Sequence, residues 1–201
     1  MYDWKNKEIW TNLQNWKKKS SKSLILTFDD GPSSVLIPIL DVLKKHDIKA
    51  MFFWQSRLLH KKRPWKRVLD EGHILGGHSL RHRDLTRLSR DEQFHDIRSN
   101  KIHIEKLTGQ KMKYFRPPFG QFNGDTLYVL KELEVIPFLW EVAGLDWEHK
   151  QNPQHIVHNI LNHVENGSVI LLHELRQTVE ILDDLLTEIK LEGYEFVLPP
   201  V

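Results

Sequence analysis

Leu24-Ile25-Leu26-Thr27-Phe28-Asp29-Asp30-Gly31-Pro32 decides the reading of this chain. A mostly apolar run goes straight into two carboxylates and stops at Gly-Pro. Such a run suits a strand covered on both faces, and Gly-Pro is a turn signal. The carboxylates therefore sit where a buried strand leaves the core. Two adjacent negative charges call for a counter-charge, either a metal ion or an arginine. Taken alone, Asp29-Asp30-Gly31 reads more readily as a polar turn capping the next helix. The residues downstream reverse that preference.

Working outward, strand and helix patterns alternate. A strand over 24–28 is followed by a helix over 33–45, with Ser33 or Ser34 as N-cap and Leu36, Leu40 and Leu43 on its buried side. Strands are expected over 49–54, 72–79, 113–116, 135–142, 168–172 and 195–197. Helices fall between them over 64–71, 91–107, 124–133, 153–164 and 177–191, with Gly109 stopping the third. Repeated strand–helix units imply an α/β fold with a mainly parallel sheet and right-handed crossovers. About seven units favour a barrel over an open sheet. In such a barrel the site gathers where strands end. Asp29-Asp30, His78, His82, Arg116, Asp146 and His173 all fall just past a strand.

Length and composition set bounds. At 201 residues the chain is one domain with room for a substantial core. Lys plus Arg is 29 and Asp plus Glu is 27, a formal charge of +2, which implies no nucleic acid or other bulk polyanion as partner. There is no cysteine, so a metal would be held by histidine, carboxylate or water, and the twelve histidines divide into ligands and bystanders. No stretch is apolar enough to span a membrane, and no signal-peptide hydrophobic region opens the sequence. A cytoplasmic location is the simpler expectation, and an extracellular or cell-wall one follows if a leader has been removed. Residues 1–22 read as an N-terminal extension to a domain over 23–201. Trp4, Trp10, Leu13 and Trp16 share one helical face ahead of a lysine cluster. Such a helix either packs its aromatics on the domain, the expected case, or lies on a membrane or an anionic polymer.

Several short motifs carry chemistry. His78-Ser79-Leu80-Arg81-His82 spaces two imidazoles so that both can reach one ion, and it follows a double glycine at a strand end. With Asp30 they would form a two-histidine, one-carboxylate set with open coordination positions, as a catalytic metal needs. Arg116-Pro117-Pro118-Phe119-Gly120 is a proline-stiffened loop. It is either a surface turn or a device that aims Arg116 at Asp29, orienting a general base, and the Phe119 N–H at an oxyanion. Asp146-Trp147 and Leu171-Leu172-His173 each follow or end a strand. Together they suggest an Asp146–His173 hydrogen bond that keeps the imidazole protonated as a general acid. Trp147 and Leu171 would wall a pocket for a small acyl methyl.

In that order these five motifs resemble the polysaccharide deacetylase family, carbohydrate esterase family 4, which includes the nodulation-type chitooligosaccharide deacetylases. The match runs from Thr27-Phe28-Asp29-Asp30-Gly31 to His173 and covers about residues 23–198. The resemblance implies a distorted (β/α) barrel with fewer than eight complete units. It implies Asp29 as base, His173 as acid, and Asp30, His78 and His82 as ligands of one divalent ion, usually zinc. Arg116 would tune Asp29, and Asp146 would tune His173. The implied reaction is hydrolysis of N-acetyl groups on an amino-sugar polymer or oligomer, of peptidoglycan or chitin type. Ala143 stands where the family often has Asp, Phe119 where Tyr is usual, and Glu174 where Asp is common. Two other readings stand beside it: an O-acetyl esterase on xylan-type polysaccharide, and a carbohydrate-binding homologue that has lost catalysis.

Overall fold

The computed structural model describes residues 9–11 and 22–199. Along the first strand, β1 (Lys22–Gly31), neighbouring side chains go to opposite sides, as pleated backbone requires. Leu24, Leu26 and Phe28 join a large apolar cluster shared with the helices. Ile25 joins a smaller one with Met51, Phe53, Tyr114, Phe138 and Val169, which fills the inside of a curled sheet. The same alternation aims Thr27 and Asp29 inward. Both faces of the strand are therefore covered, and the run reads as continuously apolar.

After α1 (Leu36–Lys45) come β2 (Met51–Trp54), α2 (Trp65–Asp70), β3 (Ile74–Gly77) and the long α3 (Arg90–Thr108). Then follow β4 (Tyr114–Phe115), α4 (Gly124–Glu132), β5 (Ile136–Pro137), β6 (Val142–Ala143), α5 (Gln154–Leu161), β7 (Val169–His173), α6 (Arg176–Leu191) and β8 (Tyr194–Phe196). The strands pair in the order β5-β4-β3-β2-β1-β7-β6, with β8 on the start of β1, and every pairing is parallel. Among the described residues nothing pairs β5 with β6, so the barrel is curled but incomplete, as the family resemblance implied.

Two expected elements differ. The strand expected over 135–142 is two short strands at opposite edges of the sheet, since β5 pairs with β4 and β6 with β7. The four residues between them, Phe138 to Glu141, cross the open seam, where a run that stays apolar up to Trp140 looks the same as a strand. Neither Ser33 nor Ser34 caps α1, whose N-cap is Val35 without a side-chain bond. The Ser33 amide is instead held by Glu174 (2.7 Å), and its hydroxyl accepts from Val35 N–H (3.1 Å). Helix α3 ends as expected, with Gly109 at φ 73.

Of the N-terminal segment, residues 9–11 are described. There Trp10 makes a single parallel bridge to Phe138 and stacks on its ring at 6.3 Å, and Ile9 is buried. The helical expectation for the rest of residues 1–21 lies outside the described residues. No helix among the described residues is long and apolar enough to cross a membrane.

Candidate active site

The site lies at the C-terminal mouth of the sheet, and β1 sets its centre. A regular strand would send Asp29 and Asp30 to opposite faces. Asp30 adopts φ 68, and the β1–β2 register slips between Asp29 and Gly31. This local break returns the second carboxylate to the side of the first. Asp29 is paired in register with His173 on the adjacent β7, and both point into the barrel.

Asp30, His78 and His82 form a donor trio. Their ligand atoms all lie within 4.8 Å of one another. His82 Nε2 is 3.3 Å and His78 Nε2 3.7 Å from Asp30 Oδ1. His78 Nδ1 is 2.6 Å from the Arg116 carbonyl oxygen, which can only accept, so Nδ1 carries the hydrogen and Nε2 faces the trio with its lone pair. Burial pushes the His78 pKa down, against the pull of Asp29 and Asp30, which keeps the imidazole neutral and able to ligate. Burial would raise the Asp30 pKa, but the charges of His78, His82 and His173 and a Gln55 hydrogen bond (2.8 Å) lower it overall. Two imidazoles and a carboxylate, with room left for solvent or substrate, fit a divalent ion. The chain thus carries a divalent-metal-binding triad.

Arg116 is fully buried. It donates through Nη1 to Asp29 Oδ1 (2.7 Å) and to the Thr27 hydroxyl (2.8 Å). Its Nε and Nη2 reach the carbonyls of Phe138 (3.1 Å) and Leu139 (2.8 Å). Those carbonyls belong to the segment crossing the seam, so one side chain both orients a site carboxylate and joins the unclosed edge. Its guanidinium also lies 4.2 Å from the centre of the Phe53 ring.

On the other side of the mouth, Asp146 is fully buried and takes His173 from two directions. Its Oδ1 meets His173 Nδ1 at 2.8 Å, and its Oδ2 accepts the His173 amide and the Thr178 hydroxyl, each at 2.6 Å. Burial alone would lower the His173 pKa, but the Asp146 bond and the charges of Asp146, Asp29 and Asp30 raise it overall. These contacts favour the protonated ring, which presents Nε2 to the cavity.

That cavity, about 490 Å³, is lined by Asp29, Asp30, His78, His82, Phe119, Trp147, Leu171 and His173. Arg116 and Asp146 stand behind it, so all ten residues singled out in the sequence converge on one place. Phe119 sits at φ 58, its ring packed edge-on to His82 at 4.5 Å and 57% exposed at the rim. Of seven non-glycine residues at positive φ among the described residues, five (Asp30, Ser79, His82, Phe119 and Leu145) belong to the site segments. Each such residue costs on the order of 1–3 kcal/mol, so backbone strain is concentrated at the mouth.

Sequence reasoning missed Trp140 and Leu175, which complete the lining. It also missed Gln55 on Asp30, Thr27 on Arg116 and Thr178 on Asp146. Thr27 was visible as a lone polar residue inside an apolar strand. Nothing local marks Gln55 or Thr178.

A model of the polysaccharide deacetylase family matches residues 17–137. The chain belongs to that family. Over 184 residues it is 36% identical to the peptidoglycan-N-acetylglucosamine deacetylase PgdA of Listeria monocytogenes, covering 90% of this chain and 39% of that protein. It is 37% identical over 185 residues to the peptidoglycan-N-acetylmuramic acid deacetylase PdaA of Bacillus subtilis, covering 87% and 69%. The crystal structure of the Bc1960 peptidoglycan N-acetylglucosamine deacetylase superposes with a TM-score of 0.84 at 31% identity, covering 94% of this chain and 89% of that one. The chain therefore spans about two fifths of the Listeria relative's length.

Proposed function

We propose that this chain hydrolyses N-acetyl groups on an amino-sugar polymer or oligomer of peptidoglycan or chitin type, releasing acetate, with zinc as its ion. The observation that carries this reading is the arrangement in one cavity. The Asp30–His78–His82 trio sits beside Asp29, and Asp29 is in register with His173. The named activities of the similar proteins supply the substrate class.

When bound by Asp30, His78 and His82, a divalent ion would supply a Lewis acid that polarises the acetyl carbonyl and lowers the pKa of water. Asp29 is held through Oδ1 by Arg116, leaving Oδ2 toward His78 Nε2 (3.8 Å) to take the proton of the attacking water. The Phe119 N–H, on its stiff loop, would donate to the oxyanion. His173 holds its proton through Asp146 and gives it from Nε2 to the departing amine. Trp147 and Leu171, with Trp140 and Leu175, offer an apolar wall to the acetyl methyl.

An amine leaves poorly without a proton, whereas an ester's alkoxide is easier to expel. The elaborate support of His173 favours the amide over the O-acetyl reading. A binding-only role would not need the base, the acid and all three ligands together. Acetate release from N-acetylglucosamine oligomers, compared with acetylated xylan, tests the proposal. Asp29→Asn and His173→Ala should each slow release by about two to four orders of magnitude. Near-wild-type rates in both would overturn the assignment, and faster release from xylan would move it to the ester.

A further inference from the structure

The buried residues of α3 are Gln93, Asp96, Ile97, Asn100 and Ile104, so three of five are polar. Buried polar groups are ordinarily paired, and each calls for an account of its partners. Gln93 is satisfied at the junction with α4, where its amide meets the Leu88 carbonyl (3.1 Å) and Asn123 (3.3 Å), and its oxygen accepts from Thr126 (2.6 Å).

Asp96 and Asn100 serve a different place, the turn joining His78 to His82. Asp96 Oδ1 accepts the Leu80 amide at 2.8 Å, and its Oδ2 lies 3.4 Å from Arg83. Asn100 donates to the Ser79 carbonyl (2.7 Å) and to the Trp54 carbonyl at the end of β2 (3.2 Å). Its oxygen occupies the space a side chain at Gly77 would need. Within the turn Ser79 Oγ accepts the His82 amide (2.7 Å), and Ser79 and His82 stand at φ 65 and 56. Residues of this kind rarely adopt such a conformation unless their surroundings impose it.

We propose that Asp96 and Asn100 are positioning residues that hold the His78–His82 turn in its ligating shape before an ion arrives. The inference rests on reading the two histidines as metal ligands. Its physical basis is pre-organisation. A turn already held in place forgoes the ordering cost that would otherwise weaken capture, and partners behind the ligands are worth about 10- to 100-fold in metal affinity.

The test is zinc affinity by chelator competition on the full chain, with the melting temperature of the metal-free protein measured alongside. Asp96→Ala and Asn100→Ala should each weaken zinc by about 10- to 100-fold. Asp96→Asn, whose amide oxygen can still accept from Leu80, should bind close to wild type. Ile97→Ala removes core packing from the same helix without touching the turn, and should lower the melting temperature but leave affinity unchanged. If Asn100→Ala does not fold, Asn100→Ser carries the same expectation, since its hydroxyl is too short to span to Ser79. Unchanged affinity in the Asp96 and Asn100 variants, beside lost binding in His82→Ala, overturns the positioning role and leaves the ligands standing. An equal loss in Ile97→Ala overturns it too. Unchanged affinity in His82→Ala overturns the ligand reading and the inference with it.

Discussion

Glu174 directly follows the proposed acid and is nearly fully buried. It accepts from the Trp54 indole N–H (2.6 Å) and the Ser33 amide (2.7 Å), fastening the end of β2 and the turn after β1 to the end of β7. Burial pushes its pKa from an ordinary 4.5 up to about 7, against the lowering effect of those two donors. A folded-state pKa above the unfolded one means the folded protein binds more protons between the two values. Stability is then lost as pH rises from about 4.5 through about 7. Urea denaturation at pH 5 and pH 8 should show wild type losing stability relative to Glu174→Gln by on the order of 1–3 kcal/mol, and a pH-independent difference would contradict it. At His173 the sign concerns rate. The acid must be protonated, so activity falls as pH rises through its pKa. Asp146→Asn removes the carboxylate that raises this pKa, and the alkaline limb of the pH–rate profile should move to lower pH. An unmoved limb would mean that another group supplies the proton.

Arg116 and α3 show how elements act as units. The guanidinium fork bonds carbonyls on the seam as well as Asp29, so Arg116→Lys keeps the charge but cannot reach all four acceptors. Buried carbonyls left unpaired should cost on the order of 3 kcal/mol in chemical denaturation, together with a loss of turnover. A loss of turnover with intact stability would mean that the seam bonds contribute nothing. The elements were largely legible in the sequence because each strand is a short apolar run ended by turn residues, and helices such as α1 and α6 carry their own apolar period. The seam was not. Residues 138–140 are as apolar as a strand, and only the arrangement of both sheet edges reveals that the segment 138–141 crosses a gap. The polar inner face of α3 was equally hidden. Phe94 and Ile102 are exposed on this helix while Asp96 and Asn100 are buried, the reverse of what an amphipathic pattern would suggest.

At the scale of the whole molecule, the trio joins β1 to the segment after β3, and so a bound ion should add to global stability. Ligand bound only to the folded state contributes about 2.7 kcal/mol at a hundred times its dissociation constant. Zinc should therefore raise the melting temperature of the metal-free protein, and His82→Ala should abolish the increment. An equal increment in that variant would place the ion elsewhere. The ten candidate residues could be grouped in advance because the fold repeats one geometry, placing whatever ends or follows each strand at the same mouth. Their supports (Gln55, Thr178, Asp96 and Asn100) come from other parts of the chain and have no spacing that announces them. One consequence concerns descent. Because the guanidinium beside Asp29 also rivets the unclosed wall, a lineage drifting toward mere sugar binding can change the exposed rim residues Phe119 and Trp147 far more cheaply than the buried pair. It cannot discard Arg116, and silent descendants of this chain should keep that arginine long after the chemistry is gone.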